Sequence, residues 1–153
     1  MSKHDNKYRL VVTRNDGGVS IIHPTGEESK SVSISKALAA IKGGYSSYSE
    51  VTDVELNNMV PPDRRLRNAW KEELGAISED LIRSQDIIRA KRNEALVKLD
   101  GEAFAESRKP NGNSSVIDTA AQKMRDIPQS QKFKNPANRD ELLSLLDDIE
   151  GNL

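Results

Sequence analysis

Apolar residues follow two different spacings along the chain, and the spacing changes near residue 60. Residues 8–13 and 19–23 are β-branched runs that predict two strands. Between them lies Asn-Asp-Gly-Gly, residues 15–18, and Asp-Gly and Gly-Gly pairs supply the positive φ that a tight hairpin needs. The first pattern therefore predicts a β-hairpin.

Two further elements are predicted before residue 60. Residues 30–41 predict a helix with Leu38 and Ile41 on its apolar side, ended by Gly43 and Gly44. Residues 48–56 predict a third strand, although the spacing of three between their two valines fits strand alternation badly. Residues 1–60 are thus expected to form a small β-β-α-β domain.

Residues 61–77 predict a connector that contains the only tryptophan, Trp70. Pro61 and Pro62 disfavour helix, and Asp63 is a suitable N-cap for a short turn. Residues 71–75 are polar and predict no regular element. Trp70 has two interpretations: a buried structural anchor between layers, or a partner-binding anchor, since Trp and Arg are over-represented at interface hot spots.

From residue 78 the apolar residues recur at helical spacing, and residues 78–127 predict a helical hairpin. Ser78 is the expected N-cap of a long helix that extends to about residue 109. Its predicted apolar stripe consists of Leu81, Ile88, Ala95, Leu96, Leu99 and Ala103. Arg92 falls inside this stripe, so either a carboxylate on another helix meets it, which we favour, or the stripe lines a partly wet interface between chains.

Residues 110–115 predict a break, after which Ser115 is the expected cap of a second helix that folds back on the first. Residues 128–153 predict a polar linker and a C-terminal amphipathic helix, with Asn138 as its cap and Glu141 three residues on. The predicted fold class is therefore α+β: a β-β-α-β layer followed by a helical hairpin and a terminal helix.

The composition suggests a protein that completes its burial against a partner. Hydrophobic residues make up 35% of the chain, charged residues 31% and aromatic residues only 4%, which is little material for a compact core. A net charge of −1 gives no global attraction to nucleic acid or to an anionic membrane. No apolar run approaches the roughly 18 residues that span a bilayer, and residues 1–7 lack the apolar core of a secretory signal. We therefore expect a cytoplasmic protein without a membrane partner.

The residue types that carry catalysis are sparse. Cysteine is absent, and neither His4 nor His23 has a partner at the spacing of a metal or base–nucleophile site. The glycine pairs lack the pattern of a phosphate loop. We predict no catalytic residue, no cofactor site and no metal site, and hence no enzyme.

Basic residues do cluster on the long helix, where Arg83, Arg89 and Lys91 precede Arg92. Such a cluster can follow phosphates. Acidic residues are interspersed with it, however, and that spacing more often gives an ion-paired, solvated face. Nucleic acid is therefore a weaker alternative than a protein partner.

One stretch carries a family resemblance. Asp63-Arg64-Arg65-Leu66-Arg67-Asn68-Ala69-Trp70 resembles the D-R-x-x-R-N-A-W stretch of small proteins from tailed bacteriophages and prophages. Residues 8–24 resemble their N-terminal hairpin, and residues 83–100 resemble their basic helix that ends in Leu-Asp. Residues 122–126 resemble their Q-x-L-R-D segment, with Met124 at the leucine, and a leucine-rich tail helix follows. The resemblance covers nearly the whole chain.

These proteins are similar in outline to tail-fibre assembly proteins, and the resemblance implies a role in virion morphogenesis. It implies a fibre assembly chaperone or a minor tail component, with a phage tail or tail-fibre protein as partner. The protein is then expected in the host cytoplasm during assembly, or in the virion, and homo-oligomerisation is left open.

The partner-binding residues expected on this hypothesis lie in two groups, the connector and the helices: Asp63, Arg64, Arg67, Asn68, Trp70, Arg92, Arg125 and Asp126. Ion pairs of Arg92 and Arg125 with Asp100 or Asp126 are expected to fix the hairpin or its partner. Two alternatives are a nucleic-acid-associated phage protein, in packaging or regulation, and an inhibitor of a host defence protein.

Overall fold

A computed structural model describes residues 8–24 and 28–153. The chain divides into two compact units, which we call the N-terminal unit (Met1–Asp80) and the C-terminal unit (Leu81–Leu153). The N-terminal unit holds antiparallel strands and short helices, and the C-terminal unit is helical, so the α+β class is confirmed. Residues 61–77 belong to the N-terminal unit. His4 and the segment 1–7, which we do not expect to be a secretory signal, lie outside the described residues.

The predicted hairpin is formed by β1 (Tyr8–Arg14) and β2 (Val19–Ile22), which pair antiparallel. Its turn closes with a hydrogen bond of 3.0 Å from the Gly17 N–H to the Arg14 carbonyl. Gly17 has φ 81°, which explains why glycine stands there. The Asp16 carboxylate accepts a hydrogen bond of 2.7 Å from the Gly18 N–H, and this fixes the far side of the turn.

A third strand and a helix complete the predicted β-β-α-β layer. Helix α1 (Lys30–Ala39) follows β2, and β3 (Tyr45–Thr52) pairs antiparallel with β1, which gives the strand order β2-β1-β3. Alternate residues of a strand point to opposite faces. In β1, Leu10 and Val12 pack with Leu38 of α1 on one face, and Val11 lies in a second apolar cluster on the other. Both faces of the central strand are therefore buried.

The predicted third strand ends earlier than expected. The chain turns into helix α2 (Asp53–Met59) after Thr52, whose hydroxyl accepts a hydrogen bond of 3.2 Å from the Glu55 N–H. Val51 is buried, whereas the Val54 side chain is 71% exposed because it lies on the helix. The spacing of three between these valines reflects the change from strand to helix.

Residues 70–79 form a second hairpin, so the prediction of a polar connector at 71–75 and of a helix cap at Ser78 was wrong. A 3-10 turn (Arg67–Ala69) leads into β4 (Trp70–Glu73), which pairs antiparallel with β5 (Ala76–Glu79). Trp70 and Ile77 are buried in the same cluster as Val11. Their burial stabilises a strand that the local Lys-Glu-Glu sequence disfavours.

The C-terminal unit contains the predicted helical hairpin and terminal helix. It is built from α3 (Leu81–Ser107), α4 (Ser115–Asp126), the single turn α5 (Gln131–Lys134) and α6 (Arg139–Glu150). Both α4 and α6 pack on α3. The predicted Asn138 cap is confirmed, since its side chain accepts a hydrogen bond of 3.3 Å from the Glu141 N–H. The other predicted cap is displaced by one residue, because Ser114 precedes α4 and its hydroxyl donates to Asp118 over 2.7 Å.

The buried face of α3 is narrower than the predicted stripe. The buried residues on this helix are Ser84, Ile88, Ala95 and Leu99. Leu81 at its start is 41% exposed. Phe133, in the predicted polar linker, is buried on α5. Within residues 8–24 and 28–153, no helix has the length and apolar character needed to cross a membrane.

Candidate functional site

The N-terminal unit contains an open cavity of about 380 Å³ whose polar lining is basic. Four of the predicted partner-binding residues meet there, and five residues of the first hairpin region also line the cavity. The residues that matter for its chemistry are Arg14, His23, Arg64, Arg67, Asn68 and Trp70. Among the described residues, no aspartate or glutamate lines it.

The connector positions its arginines by burying the residues between them. Leu66 and Ala69 are fully buried, and the turn is closed by a hydrogen bond of 3.0 Å from the Arg67 N–H to the Arg64 carbonyl. Because the apolar positions face the core, the side chains of Arg64, Arg67 and Asn68 remain exposed at the surface.

Asp63 supports this turn rather than the cavity. Its carboxylate accepts a hydrogen bond of 2.9 Å from the Arg65 N–H and forms an ion pair of 2.7 Å with the Arg65 guanidinium. Asp63 therefore caps a local turn, as predicted, and its carboxylate neutralises the Arg65 guanidinium.

Arg14 is held in place by three neighbours. Its Nη1 donates to the Ser20 hydroxyl over 2.7 Å and to the Val19 carbonyl over 3.2 Å. Its Nε forms an ion pair of 3.2 Å with Asp16. A guanidinium fixed in this way keeps its orientation when a ligand arrives, which lowers the entropy lost on binding.

Arg64 and Arg67 differ from most cations of the N-terminal unit because their side chains have no acidic partner among the described residues. Arg9, by contrast, pairs with Asp53, and Lys71 pairs with Glu73, each at 3.1 Å. Two unneutralised guanidinium groups on one cavity create a local positive potential despite the net charge of −1.

Trp70 forms part of the cavity wall but is 3% exposed and lies mainly in the core cluster with Val11 and Ile77. Its buried Nε1 has no acceptor in the described part of the chain. The indole is therefore a structural anchor for the unit, as the first of its two interpretations held. Its role in binding a partner stays a prediction.

The predicted residues of the C-terminal unit have separate local roles. The Arg92 guanidinium donates to the Asn93 side chain over 2.8 Å, and no carboxylate of the described residues pairs with it, so the pairing we favoured was wrong. Arg125 pairs with Asp100 at 3.0 Å and joins α4 to α3, as predicted. Asp126 accepts a hydrogen bond of 2.9 Å from Gln122 on its own helix.

The sequence reasoning missed the opposite face of α3. Ala90, Val97 and Phe104 recur at intervals of seven residues on the side away from the buried face. Val97 is 75% exposed and Phe104 is 64% exposed. We call Ala90, Val97 and Phe104 the exposed seam of α3. The signal for the seam in the sequence is the interval of seven residues between its members, none of which belongs to the predicted apolar stripe of this helix.

Charged residues beside this seam are paired along the helix itself. Asp86 pairs with Arg89 at 3.0 Å, and Lys98 pairs with Glu102 at 3.8 Å. In the basic cluster, Arg89 is thus paired and Lys91 pairs with Glu94 at 3.9 Å, whereas Arg92 contacts Asn93. These pairs leave the apolar residues as the unpartnered feature of this face.

Neither surface has the groups of a metal centre. In the parts of the chain that the structure covers, no cluster of three or more His, Cys, Asp or Glu could hold a metal ion. Comparison with protein-family models, with curated proteins and with solved structures found no match. The cavity and the exposed seam of α3 are therefore the two features that point to a function.

Proposed function

We propose that this protein works by binding another protein through the exposed seam of α3, without catalysing a reaction. The observation that carries the proposal is the seven-residue recurrence of Ala90, Val97 and Phe104 on an exposed helix face. Intervals of seven place side chains along one line of a helix, and such a line packs into the grooves of a facing helix. A partner that presents an apolar helix or groove would cover it.

Phe104 is the expected anchor of this surface. Aromatic residues are enriched at interface hot spots, where they fill a pocket on the partner. The Arg108 guanidinium lies 5.4 Å from the centre of the Phe104 ring. This contact supports the ring in an exposed position. Gly101, one turn before Phe104, has no atom near the site of an added Cβ, so a partner backbone can approach closely there.

The resemblance to tailed-phage proteins supplies the class of partner. We propose a phage tail or tail-fibre protein, with this chain acting as an assembly chaperone in the host cytoplasm or as a minor virion component. The resemblance rests on residues 63–70 and on the order of the segments that follow. The exposed seam supports a helical docking role of the kind that such a protein requires.

The first experiment co-expresses this protein with the tail and tail-fibre proteins of the phage or prophage that encodes it and measures complex formation by affinity purification. Phe104→Glu and Val97→Glu should each weaken the complex by at least about tenfold, because a charge in a dry interface is costly. Circular dichroism should show unchanged helix content, since both residues are exposed.

Val116 provides the matched control. It is 81% exposed on α4 and lies outside the seam. Val116→Glu should leave the complex intact. If all three variants lose the complex equally, or if wild-type protein binds none of the tail proteins, the proposal is wrong.

Mass spectrometry of purified virions separates the two tail roles. A minor virion component should be detected at a fixed ratio to the major tail proteins. An assembly chaperone should be found in complexes from the lysate and be lost from purified particles.

A further inference from the structure

We infer that the basic cavity of the N-terminal unit binds carboxylates presented by an acidic peptide segment of a partner protein. The inference rests on the proposed function for the existence of a protein partner, but it concerns a different surface and different residues. The juxtaposition that carries it is that of Arg14, Arg64 and Arg67 around one open cavity of about 380 Å³, whose lining contains no acidic residue in the part of the chain that the structure describes.

The charge of the cavity lacks a counterpart in its own lining. Acidic residues outnumber basic ones in this chain, 24 to 23, so carboxylates are available for pairing. Other cations of the N-terminal unit pair with carboxylates: Arg9 with Asp53, Arg65 with Asp63, and Lys30 with Glu50. Arg64 and Arg67 have none within the described ranges. A ligand that brings negative charge would complete the site.

Guanidinium geometry favours carboxylates as that charge. The planar fork of arginine binds a carboxylate or a phosphate through two parallel hydrogen bonds. Phosphate sites usually add main-chain N–H groups at a helix N-terminus or a glycine-rich loop. The described residues that line this cavity include no glycine, and Ser20, His23 and Asn68 accompany the arginines. This donor set suits several separate carboxylates better than one phosphate.

The open shape of the cavity agrees with a peptide ligand. Arg64, Arg67 and Asn68 are exposed at its edge, while Arg14 is held by Val19 and Ser20. The two exposed guanidinium groups of Arg64 and Arg67 can engage successive acidic side chains of an extended segment. Enclosure of a small molecule would require a more closed wall.

The test uses the full-length protein and blocked tetraglutamate, with tetraglutamine as the neutral control and inorganic phosphate as the second anion. Trp70 is the only tryptophan and lies in the cavity wall, so its fluorescence reports the site directly. Isothermal titration calorimetry detects binding even if the fluorescence does not change. It is done at about 0.15 M salt, where long-range electrostatic attraction is screened. Tetraglutamate should bind saturably, phosphate more weakly, and tetraglutamine not at all.

Variants assign the binding to the cavity. Arg64→Gln combined with Arg67→Gln should weaken tetraglutamate binding by at least about tenfold, since each substitution removes charge-assisted hydrogen bonds. Lys42→Gln removes one positive charge from an exposed position that does not line the cavity. It should bind the peptide as the wild type does. Circular dichroism checks that the double variant is folded.

Each remaining outcome overturns the inference. Phosphate that binds more tightly than tetraglutamate would make this a phosphate site. If Lys42→Gln weakens peptide binding equally, the effect is due to net charge and not to the cavity. If calorimetry detects no heat of binding for any anion, the cavity is not an anion site. Phe104→Glu should retain peptide binding, so a failure of the tail-protein complex and a failure of this cavity are distinguished.

Discussion

The central strand β1 and the central helix α3 organise their units in opposite ways. Four of the seven residues of β1 are buried, Tyr8, Leu10, Val11 and Val12, and they face both sides of the sheet. In α3 only four of 27 residues are buried, and they face one side. A strand inside a sheet has neighbours on both faces and both edges, whereas a helix packed along one stripe leaves the rest of its surface open.

The N-terminal unit covers both faces of its central strand, whereas the C-terminal unit leaves one face of its central helix open to another chain. In the N-terminal unit, α1 covers one face of the sheet, and α2 with the second hairpin covers the other. In the C-terminal unit, the exposed seam of α3 has no cover in the described residues. The low hydrophobic content of the chain therefore shows most clearly on α3, where few residues are buried and apolar side chains stay exposed.

The largest expected effect is that of Trp70→Ala. The indole lies in the cluster that joins the three-stranded sheet to the second hairpin, and truncation of a buried tryptophan costs about 3–5 kcal/mol. Urea denaturation should show this loss of stability. Hydrogen exchange should place it in the strands β1 to β5, while the amides of α3 keep their protection.

Trp70→Phe serves as the control for the loss of the ring. It should cost only about 1–2 kcal/mol, since most of the aromatic surface stays and a buried N–H without an acceptor is removed. If α3 loses protection in Trp70→Ala as fully as the strands do, the two units unfold together and the contrast between them does not extend to stability.

The next effect concerns the turn between α3 and α4, where polar contacts rather than a core fix the chain. Glu106 accepts hydrogen bonds from Lys109 over 2.7 Å and from the Asn113 N–H over 3.4 Å. The Lys109 ammonium, with the Asn113 N–H, holds the pKa of this carboxyl below its ordinary value. A Cβ added at Gly112 would overlap the Glu106 carbonyl oxygen. Gly112→Ala should therefore destabilise the C-terminal unit by about 1–3 kcal/mol in thermal unfolding.

Gly101→Ala is the matched control with the opposite sign. This glycine lies inside α3 and has no atom within 4 Å of an added Cβ. Alanine there should stabilise the helix by about 0.5–1 kcal/mol. Equal effects of the two substitutions would show that the turn accommodates a side chain and that its tight packing is not needed.

The sequence predicted those parts of the fold in which local chemistry and tertiary packing agree. The Asp16-Gly17 turn and the Asn138 cap follow from spacing and residue type alone. The ion pair of Arg125 with Asp100 is one of the pairings that the sequence left open. Arg64, Arg67 and Asn68 were predicted as partner-binding residues, but the cavity that they line was not predicted. The contribution of Arg14 requires the hairpin to be folded beside them.

The second hairpin could not be predicted in the same way, because it is stabilised by burial of its apolar residues against parts of the chain that are distant in sequence. Lys71, Glu72 and Glu73 have low strand propensity, and only the contacts of Trp70 and Ile77 with the core make the strand stable. Arg92 shows the same limit for a side chain. Helical spacing placed it in an apolar stripe, but Arg92 is only half-buried and its guanidinium donates to the adjacent Asn93 side chain.

The smallest effect concerns the exposed loop of the second hairpin in the N-terminal unit. Leu74 and Gly75 form the two-residue loop of the second hairpin, and both have positive φ, 52° and 80°. Leucine is strained there, whereas Asn-Gly is the preferred pair in such turns. Leu74→Asn should raise the free energy of unfolding by about 0.5–1 kcal/mol, measured by urea denaturation. Leu74→Ala, which keeps the strain of a Cβ at positive φ, should give no such gain. The Leu74 side chain is fully exposed, so its loss removes no packing within the chain. If Leu74→Asn leaves stability unchanged, the loop accommodates leucine without strain, and the backbone argument for this turn fails.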